Sequence, residues 1–151
     1  MLYCPLNNYK KTHDLSKSDA AYIAGLIDGE GSVSLARKHK NENRQLGLSI
    51  SSTEIQLLEF VKAATGVGKI TTKKVSQPHH TPSFAYAVYN RQALSILEQI
   101  LPFLKSYKRK RAELIVANYL SLTPRNGKYS KDLLARKLDF EKAVLSLKAN
   151  N

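Results

Sequence analysis

Hydrophobic and polar residues follow two periods along this chain, and the two periods predict helices and strands in a definite order. Apolar residues recur at helical spacing in 17–28, 55–64, 91–101, 114–120 and 130–148, whereas alternation predicts strands in 32–40, 46–52, 68–75 and 84–90. The order is therefore helix, two strands, helix, two strands, then helices. This order predicts an α+β fold in which two hairpins form one antiparallel sheet, with helices over one of its faces.

Small residues recur four positions apart in the first helix, which Ser16 caps at its start. Residues four apart share one helical face, and a stripe of small side chains lets another helix approach closely. An interface between two identical helices must be self-complementary about a two-fold axis. The sequence therefore predicts a homodimer through this helix, with interface residues Ala20, Ala21, Ala24, Gly25 and Asp28.

The same helix ends in two acidic residues, Asp28 and Glu30, beside Gly29 and Gly31. Carboxylates are disfavoured at a helix C-terminus, where the exposed carbonyls already carry partial negative charge. A hard divalent cation, bound by carboxylate and carbonyl oxygens, would compensate for them. Two such helix ends side by side would form a site suited to metal-assisted phosphodiester cleavage.

Residues 23–31, Ile-Ala-Gly-Leu-Ile-Asp-Gly-Glu-Gly, resemble the LAGLIDADG motif, with Ile for the first Leu, Gly for the second Ala and Glu for the second Asp. The chain is thus similar to the single-motif, homodimeric type of LAGLIDADG homing endonuclease. The resemblance implies that Glu30 and the carbonyl of Gly29 bind the catalytic Mg²⁺, with Mn²⁺ or Ca²⁺ able to occupy the same sites, Ca²⁺ without cleavage. It places Asp28 at the helix interface.

The resemblance also implies the fold of that family, αββαββα, with a saddle-shaped four-stranded sheet that binds DNA. It covers about residues 16–122 of a single domain, preceded by an arm (1–15) and followed by a helical extension (123–151).

The charge of the chain supports a polyanionic partner, since 24 Lys and Arg against 12 Asp and Glu give a net charge of +12. Polar side chains on the outward face of the sheet are candidates for contact with double-stranded DNA. The pattern leaves open which face of the fourth strand is outward, and we include Tyr86 from it. The candidates are Ser32, Ser34, Lys38, Lys40, Gln45, Ser49, Ser51, Lys69, Thr71, Lys73 and Tyr86.

Two further residues are catalytic candidates through the resemblance. Pro102-Phe103-Leu104-Lys105 resembles the segment that precedes a basic residue near the scissile phosphates, which points to Lys108, with Lys105 and Lys110 as alternatives. Such a cation would stabilise negative charge or order a nucleophilic water, or else position a phosphate. Ser52 stands where relatives carry a glutamine near the metal.

Several other functions are disfavoured by the residues present. One cysteine, Cys4, excludes an intramolecular disulfide and a cysteine zinc site, and the pair His79-His80 has no acidic neighbours for a metal site. No apolar run reaches membrane-spanning length and the N-terminus lacks a signal-peptide core, so we expect a soluble intracellular protein, in a prokaryotic cytoplasm or an organelle, without a membrane or small-molecule partner.

The predicted function is a site-specific endonuclease that binds a long, near-palindromic duplex as a homodimer and hydrolyses both strands with divalent metal. The alternative is an RNA maturase, or a DNA-binding protein of the same fold that has lost cleavage. Glu30 favours the endonuclease, because a protein that only binds has no need of that carboxylate.

Overall fold

The computed structural model describes residues 10–149 and has the predicted order of helices and strands. Cys4 and most of the predicted arm lie outside this range. The elements are α1 (Lys17–Glu30), β1 (Gly31–Ala36), β2 (Gln45–Ser52), α2 (Ile55–Thr65), β3 (Lys69–Thr72), β4 (Phe84–Tyr89), α3 (Asn90–Ile100), α4 (Lys108–Asn118) and α5 (Lys131–Ser146), with one 3-10 turn at Leu101–Phe103. Among these residues, no helix is both long and apolar enough to cross a lipid bilayer.

The four strands form one antiparallel sheet in the order β1-β2-β4-β3. Alternation gives the sheet an inner face, rich in Val, Leu and Ile, and an outer face of small and polar residues. One row of neighbours on the outer face runs across all four strands and comprises Ser32, Ser49, Ala87 and Lys69.

The hydrophobic core lies between the inner face of the sheet and the helices. Ile23 and Ile27 of α1 and Leu97 of α3 are fully buried there, together with Leu48 and Ile50 of β2. Burying one such side chain stabilises the fold by about 1.5–3 kcal/mol. The sheet is therefore held on one face only, and its other face is left for solvent or a partner.

Tyr86 belongs to this core, and its prediction as a DNA contact is wrong. Its side chain is 2% exposed, and its hydroxyl donates to the Val67 carbonyl oxygen at 2.9 Å and lies 3.1 Å from the Thr65 hydroxyl. Burial raises the pKa of Tyr86 above its ordinary value, although the Thr65 hydrogen bond opposes this. The alternation of β4 thus directs Tyr86 inward and Tyr89 outward.

Two predicted strands extend less far than their patterns suggested. β1 ends at Ala36 and β3 at Thr72, so Lys38 and Lys40 lie in the exposed loop 37–44 and Lys73 lies just past its strand. In contrast, α1 continues two residues past the predicted end at Asp28. The helix therefore runs directly into β1 without an intervening loop.

The last helix, α5, is capped by Ser130, whose hydroxyl accepts from the Leu133 N–H, and it packs on α4 and β1. Its Glu141 is buried and accepts a hydrogen bond from the backbone N–H of Arg44, while the two side chains form an ion pair at 3.9 Å. Arg44 also donates to the Leu35 carbonyl oxygen at the end of β1. This Arg44–Glu141 pair ties the β1–β2 hairpin to α5.

Candidate active site and nucleic-acid interface

The junction between α1 and β1 depends on Gly31. A Cβ at this position would lie 2.7 Å from the Ile27 Cα and 2.7 Å from the Ser49 carbonyl oxygen, closer than side-chain atoms approach. The φ of Gly31 is −115°, so close packing rather than an unusual backbone angle requires glycine. Because Gly31 pairs with Ile50 and begins β1, this junction places Glu30 at the end of the sheet.

Asp28 is held by the segment that precedes α4. Its carboxylate accepts from the backbone N–H of Lys105 at 2.8 Å, from the backbone N–H of Ser106 at 3.1 Å, and from the Ser106 hydroxyl at 2.5 Å. Burial raises the pKa of Asp28, but these three donors and the Lys108 charge outweigh it, and the net pKa is lowered. These hydrogen bonds are made within one subunit, and the place of Asp28 at the dimer interface stays a prediction.

Lys108 lies beneath the end of α1 and is 8% exposed. Its ammonium group donates to the carbonyl oxygens of Ile27 at 2.8 Å and Asp28 at 2.9 Å. Burial lowers the pKa of Lys108; the charges of Asp28 and Glu30 raise it and that of Arg111 lowers it further, so the net pKa is below its ordinary value. The cation stabilises the negative end of the helix, where unpaired carbonyls gather.

Glu30 differs from Asp28 because it is exposed and, within residues 10–149, makes no hydrogen bond or ion pair. The described residues contain no group of three His, Cys, Asp or Glu side chains that could hold a metal. Of the two carboxylates at this helix end, Glu30 is thus the one that makes no hydrogen bond with the described residues, and it lies beside the backbone of Gly29. Carboxylate and backbone carbonyl oxygens are the ligand types that Mg²⁺ and Ca²⁺ accept, so the donors fit such a cation.

Ser52 lies at the same end of the sheet, where β2 pairs with β4. Its hydroxyl accepts from the backbone N–H of Glu54 at 3.0 Å and closes the turn into α2. Lys105 and Lys110, the alternatives to Lys108, are both exposed. The catalytic roles of Ser52 and Lys108 remain predictions.

Most of the predicted DNA contacts lie on the outer face of the sheet, where three of them form side-chain hydrogen bonds with side chains of neighbouring strands or segments. The Ser32 and Ser49 hydroxyls are 2.7 Å apart, and the Asn90 side-chain amide donates to the Gln45 side-chain oxygen at 3.3 Å. Ser34, Ser51, Lys69 and Thr71 complete this face.

Tyr89, which the sequence reasoning missed, is 50% exposed on the outer face and its ring covers Gly47. The alternation that places Tyr86 inward would have identified it, once the inward face of β4 was known.

The structure divides the predicted dimer interface into two faces of α1. Ala20 and Ala24 are 3% and 0% exposed and pack in the core of their own subunit, so their assignment to an interface is wrong. Ala21, Gly25 and Gly29 are exposed and form a stripe four residues apart, which we call the small-residue stripe. A Cβ added at Gly25 or Gly29 would meet nothing within 4 Å.

The family model of the LAGLIDADG endonuclease matches residues 23–131. This range includes the second half of the motif helix, the whole sheet and α4, and so includes Asp28, Glu30 and Lys108. The chain therefore belongs to the LAGLIDADG endonuclease family.

Solved structures share its fold. The homing endonuclease I-CvuI in complex with its target, in the presence of 2 mM Ca, has a TM-score of 0.70 at 17% identity over 89% of this chain and 85% of that chain. I-CvuI with DNA that is not cleaved, in the presence of 2 mM Mg, gives 0.69 at 19% identity over 90% and 87%.

A third similar structure, the LAGLIDADG meganuclease I-AabMI bound to uncleaved DNA, has a TM-score of 0.58 at 22% identity. The match covers 87% of this chain but 46% of that chain.

Proposed function

We propose that this protein is a site-specific homing endonuclease that cleaves both strands of a long, near-palindromic DNA duplex as a homodimer. The observation that carries the proposal is the contrast at the end of α1. Asp28 and Lys108 are hydrogen-bonded into the fold, whereas the exposed carboxylate of Glu30 makes no hydrogen bond or ion pair with the described residues and acts on Lys108 only through its charge. A carboxylate kept free at the negative end of a helix is suited to a cation that the subunit itself does not supply.

Glu30 and the Gly29 carbonyl oxygen would hold the metal, Mg²⁺ for cleavage, with Mn²⁺ or Ca²⁺ as substitutes. When bound, the metal supplies Lewis-acid stabilisation of phosphate charge and lowers the pKa of a water. Lys108 uses two of its three N–H donors on the carbonyls of Ile27 and Asp28. We assign its third donor to a phosphate oxygen or the attacking water, and we assign Ser52 to a supporting polar contact nearby.

The homodimer is supported by the two exposed glycines of α1. Each helical glycine costs about 1 kcal/mol relative to alanine, and packing within the subunit offers no reason for Gly25 or Gly29. A second copy of the small-residue stripe, crossing closely about a two-fold axis, would provide that reason. The length of I-AabMI is consistent with this, since the matched region fills 46% of that chain and leaves room for another unit of equal size.

DNA would lie on the outer face of the sheet, opposite the helices. Its residues are mostly hydroxyls and small side chains, and Lys69, Thr71 and Lys73 stand at the β3 edge. A ribbon of this kind fits the major groove, where hydroxyls, amides and cations read base edges. Lys38 and Lys40 in loop 37–44 extend the polar surface beyond β1. A two-fold symmetric protein would select a near-palindromic target.

The experiment that tests the proposal is cleavage of a randomised duplex library with Mg²⁺ and, in parallel, with EDTA. We expect recovered ends that define one near-palindromic site, and cleavage that depends on metal. Retention of duplex without any metal-dependent ends would contradict the endonuclease and indicate an inactive DNA-binding protein. Retention of structured RNA in place of duplex would indicate a maturase.

A further inference from the structure

An open cleft of about 840 Å³ lies at the end of the outer sheet face that is remote from Glu30. Its walls are the adjoining ends of β3 and β4, the start of α3 and the segment 123–125, with Lys10 at the rim. None of these residues belongs to the site at the end of α1. The cleft thus adjoins the outer sheet face at the ends of β3 and β4 and is separate from the site at the end of α1.

The charged residues of this cleft are all positive. It is lined by Lys10, Lys69, Arg91 and Arg125 and by no Asp or Glu. Within residues 10–149, none of these four cations forms an ion pair. Four like charges around a concave surface repel one another and focus a positive potential on the space between them. A bound anion would relieve that repulsion.

Hydrogen bonds between distant parts of the chain hold the cleft in shape. Arg91 donates to the Thr123 carbonyl oxygen at 3.1 Å, and Gln92 donates to the Lys10 carbonyl oxygen at 2.7 Å. Arg91 therefore has guanidinium donors to spare after bracing the segment 123–125. The side chains of Lys10 and Arg125 make no hydrogen bond with other described residues and are exposed.

The cleft is continuous with the outer face, because Lys69, Ala87 and Tyr89 belong to both. Ala87, the cleft residue of β4 nearest to the Glu30 end of the sheet, lies two residues from Ala85, which pairs with Ser51. At a rise of about 3.3 Å per residue, the cleft begins about 7 Å along β4 from Ala85. A polyanion that lies along the outer face from Glu30 would reach it.

We propose that this cleft binds backbone phosphates of the DNA duplex, away from the scissile bonds, through Lys10, Lys69, Arg91 and Arg125. The proposal rests on the proposed function, since it requires duplex on the outer face. Charge and continuity with that face support it: contacts to phosphate fix the position of a protein on DNA without reading sequence, and cations without acidic neighbours serve that role.

The test is the salt dependence of binding to a 40-base-pair duplex of random sequence in EDTA, which removes cleavage from the measurement. The slope of log K against log salt is negative, and removing one cation that neutralises a phosphate reduces its magnitude by about 0.9. We expect the double variant Lys10→Gln/Arg125→Gln to reduce that magnitude by about 1–2. The matched control, Lys62→Gln/Lys131→Gln, removes the same charge from exposed positions on α2 and α5 and should leave the slope unchanged.

The outcomes separate this proposal from the proposed function. If the wild-type protein does not retain duplex at all, DNA binding itself is wrong. If it binds and cleaves a recovered site while the cleft variant keeps the wild-type slope, or the control variant changes it equally, the cleft assignment alone is wrong. A reduction in slope confined to a 40-nucleotide single-stranded RNA, with duplex binding unchanged, would also overturn it. Phosphate ethylation of the recovered site should interfere with wild-type binding at positions where it no longer affects the cleft variant.

Discussion

Asp28 and Glu30 are two carboxylates two residues apart at the end of one helix, and their environments are opposite. Asp28 accepts three hydrogen bonds from Lys105 and Ser106, and its pKa is lowered. Glu30 is exposed and makes no such bond with the described residues. A negative charge near the negative end of a helix is unfavourable for both residues. Hydrogen bonds compensate for the charge of Asp28, whereas none compensates for that of Glu30 within the described residues.

The difference shows that neighbouring residues of one motif can have separate roles: Asp28 holds the end of the helix in place, and Glu30 is available to bind a metal ion. Asp28, through the segment before α4, and Lys108, through the last carbonyls of α1, fix the position of the helix end. Gly31 then directs the chain into β1, so Glu30 lies at the end of the sheet. Substitution of Glu30 should therefore affect cleavage, and substitution of Asp28 should affect the stability of the fold.

The largest expected effect is on cleavage by Glu30→Gln. Removal of a metal ligand should lower the single-turnover rate about a thousandfold, the equivalent of about 4 kcal/mol of barrier. Thermal stability and duplex binding in EDTA should stay near wild-type values, because Glu30 makes no hydrogen bond or ion pair with the described residues. The control Glu59→Gln, an exposed acid on α2, should cleave normally. Wild-type cleavage by Glu30→Gln would remove Glu30 from the active site.

The next effect concerns the junction itself. In Gly31→Ala, the added methyl would lie 2.7 Å from backbone atoms of Ile27 and Ser49. Overpacking of this kind costs about 1–3 kcal/mol, and neither backbone can move without disturbing α1 or β2. Urea denaturation should show the decrease in stability. A stability equal to that of the wild type would mean that the helix end shifts freely.

Asp28→Asn should reduce stability by about 1–3 kcal/mol, because an amide cannot accept from all three donors and leaves part-buried groups unpaired. Urea denaturation at neutral pH measures this. Asp139→Asn, an exposed acid on α5, is the matched control and should be near neutral. If Asp28→Asn left stability unchanged but abolished cleavage, Asp28 would belong to the chemistry and not to the architecture.

The stability difference between wild type and Asp28→Asn should depend on pH. The folded pKa of Asp28 is below its ordinary value of 3.8, so its contribution is present above that value and is lost as pH falls through the folded pKa. Denaturation curves from pH 6 to pH 2 should therefore converge at the acid end. Parallel curves across that range would show that Asp28 gains nothing from its three donors.

The smallest effect has the opposite sign. Gly25→Ala should stabilise an isolated subunit by about 0.5–1 kcal/mol, since the methyl meets no atom of the subunit and alanine favours the helix. The same change should weaken self-association in sedimentation equilibrium. Ala135→Ser, a change of similar size on the exposed side of α5, should not. Stabilisation without any weakening of the dimer would mean that the small-residue stripe is not the interface.

The sequence predicted the elements well because their patterns were local. Ser16 and Gly66 bound their helices as expected, and all four strands formed. Local pattern could not divide the small residues of α1, because the stripe of Ala20 and Ala24 and that of Ala21 and Gly25 are equally small. Which of them is buried depends on how the helix is rotated against the sheet.

The site was predicted in part for the same reason. Glu30 stood out as an acid at a helix end, whereas the role of Asp28 as acceptor for Ser106 joins residues far apart in sequence. Tyr86 could not be oriented without its contact to Thr65, made across the core. The basic cleft was missed because its cations come from four separate segments, which only the fold brings together.

The Arg44–Glu141 pair has a consequence for anyone who would retarget this protein. Loop 37–44 and the adjoining strands are where a designer would exchange residues to change the preferred DNA sequence. Arg44 ends that loop, yet it neutralises a buried acid on the last helix. A transplanted hairpin without an arginine there would keep the backbone hydrogen bond to Glu141 but would leave the buried charge of Glu141 without its cation, which should destabilise the fold. The β1–β2 hairpin and the C-terminal helix α5 should therefore be exchanged together.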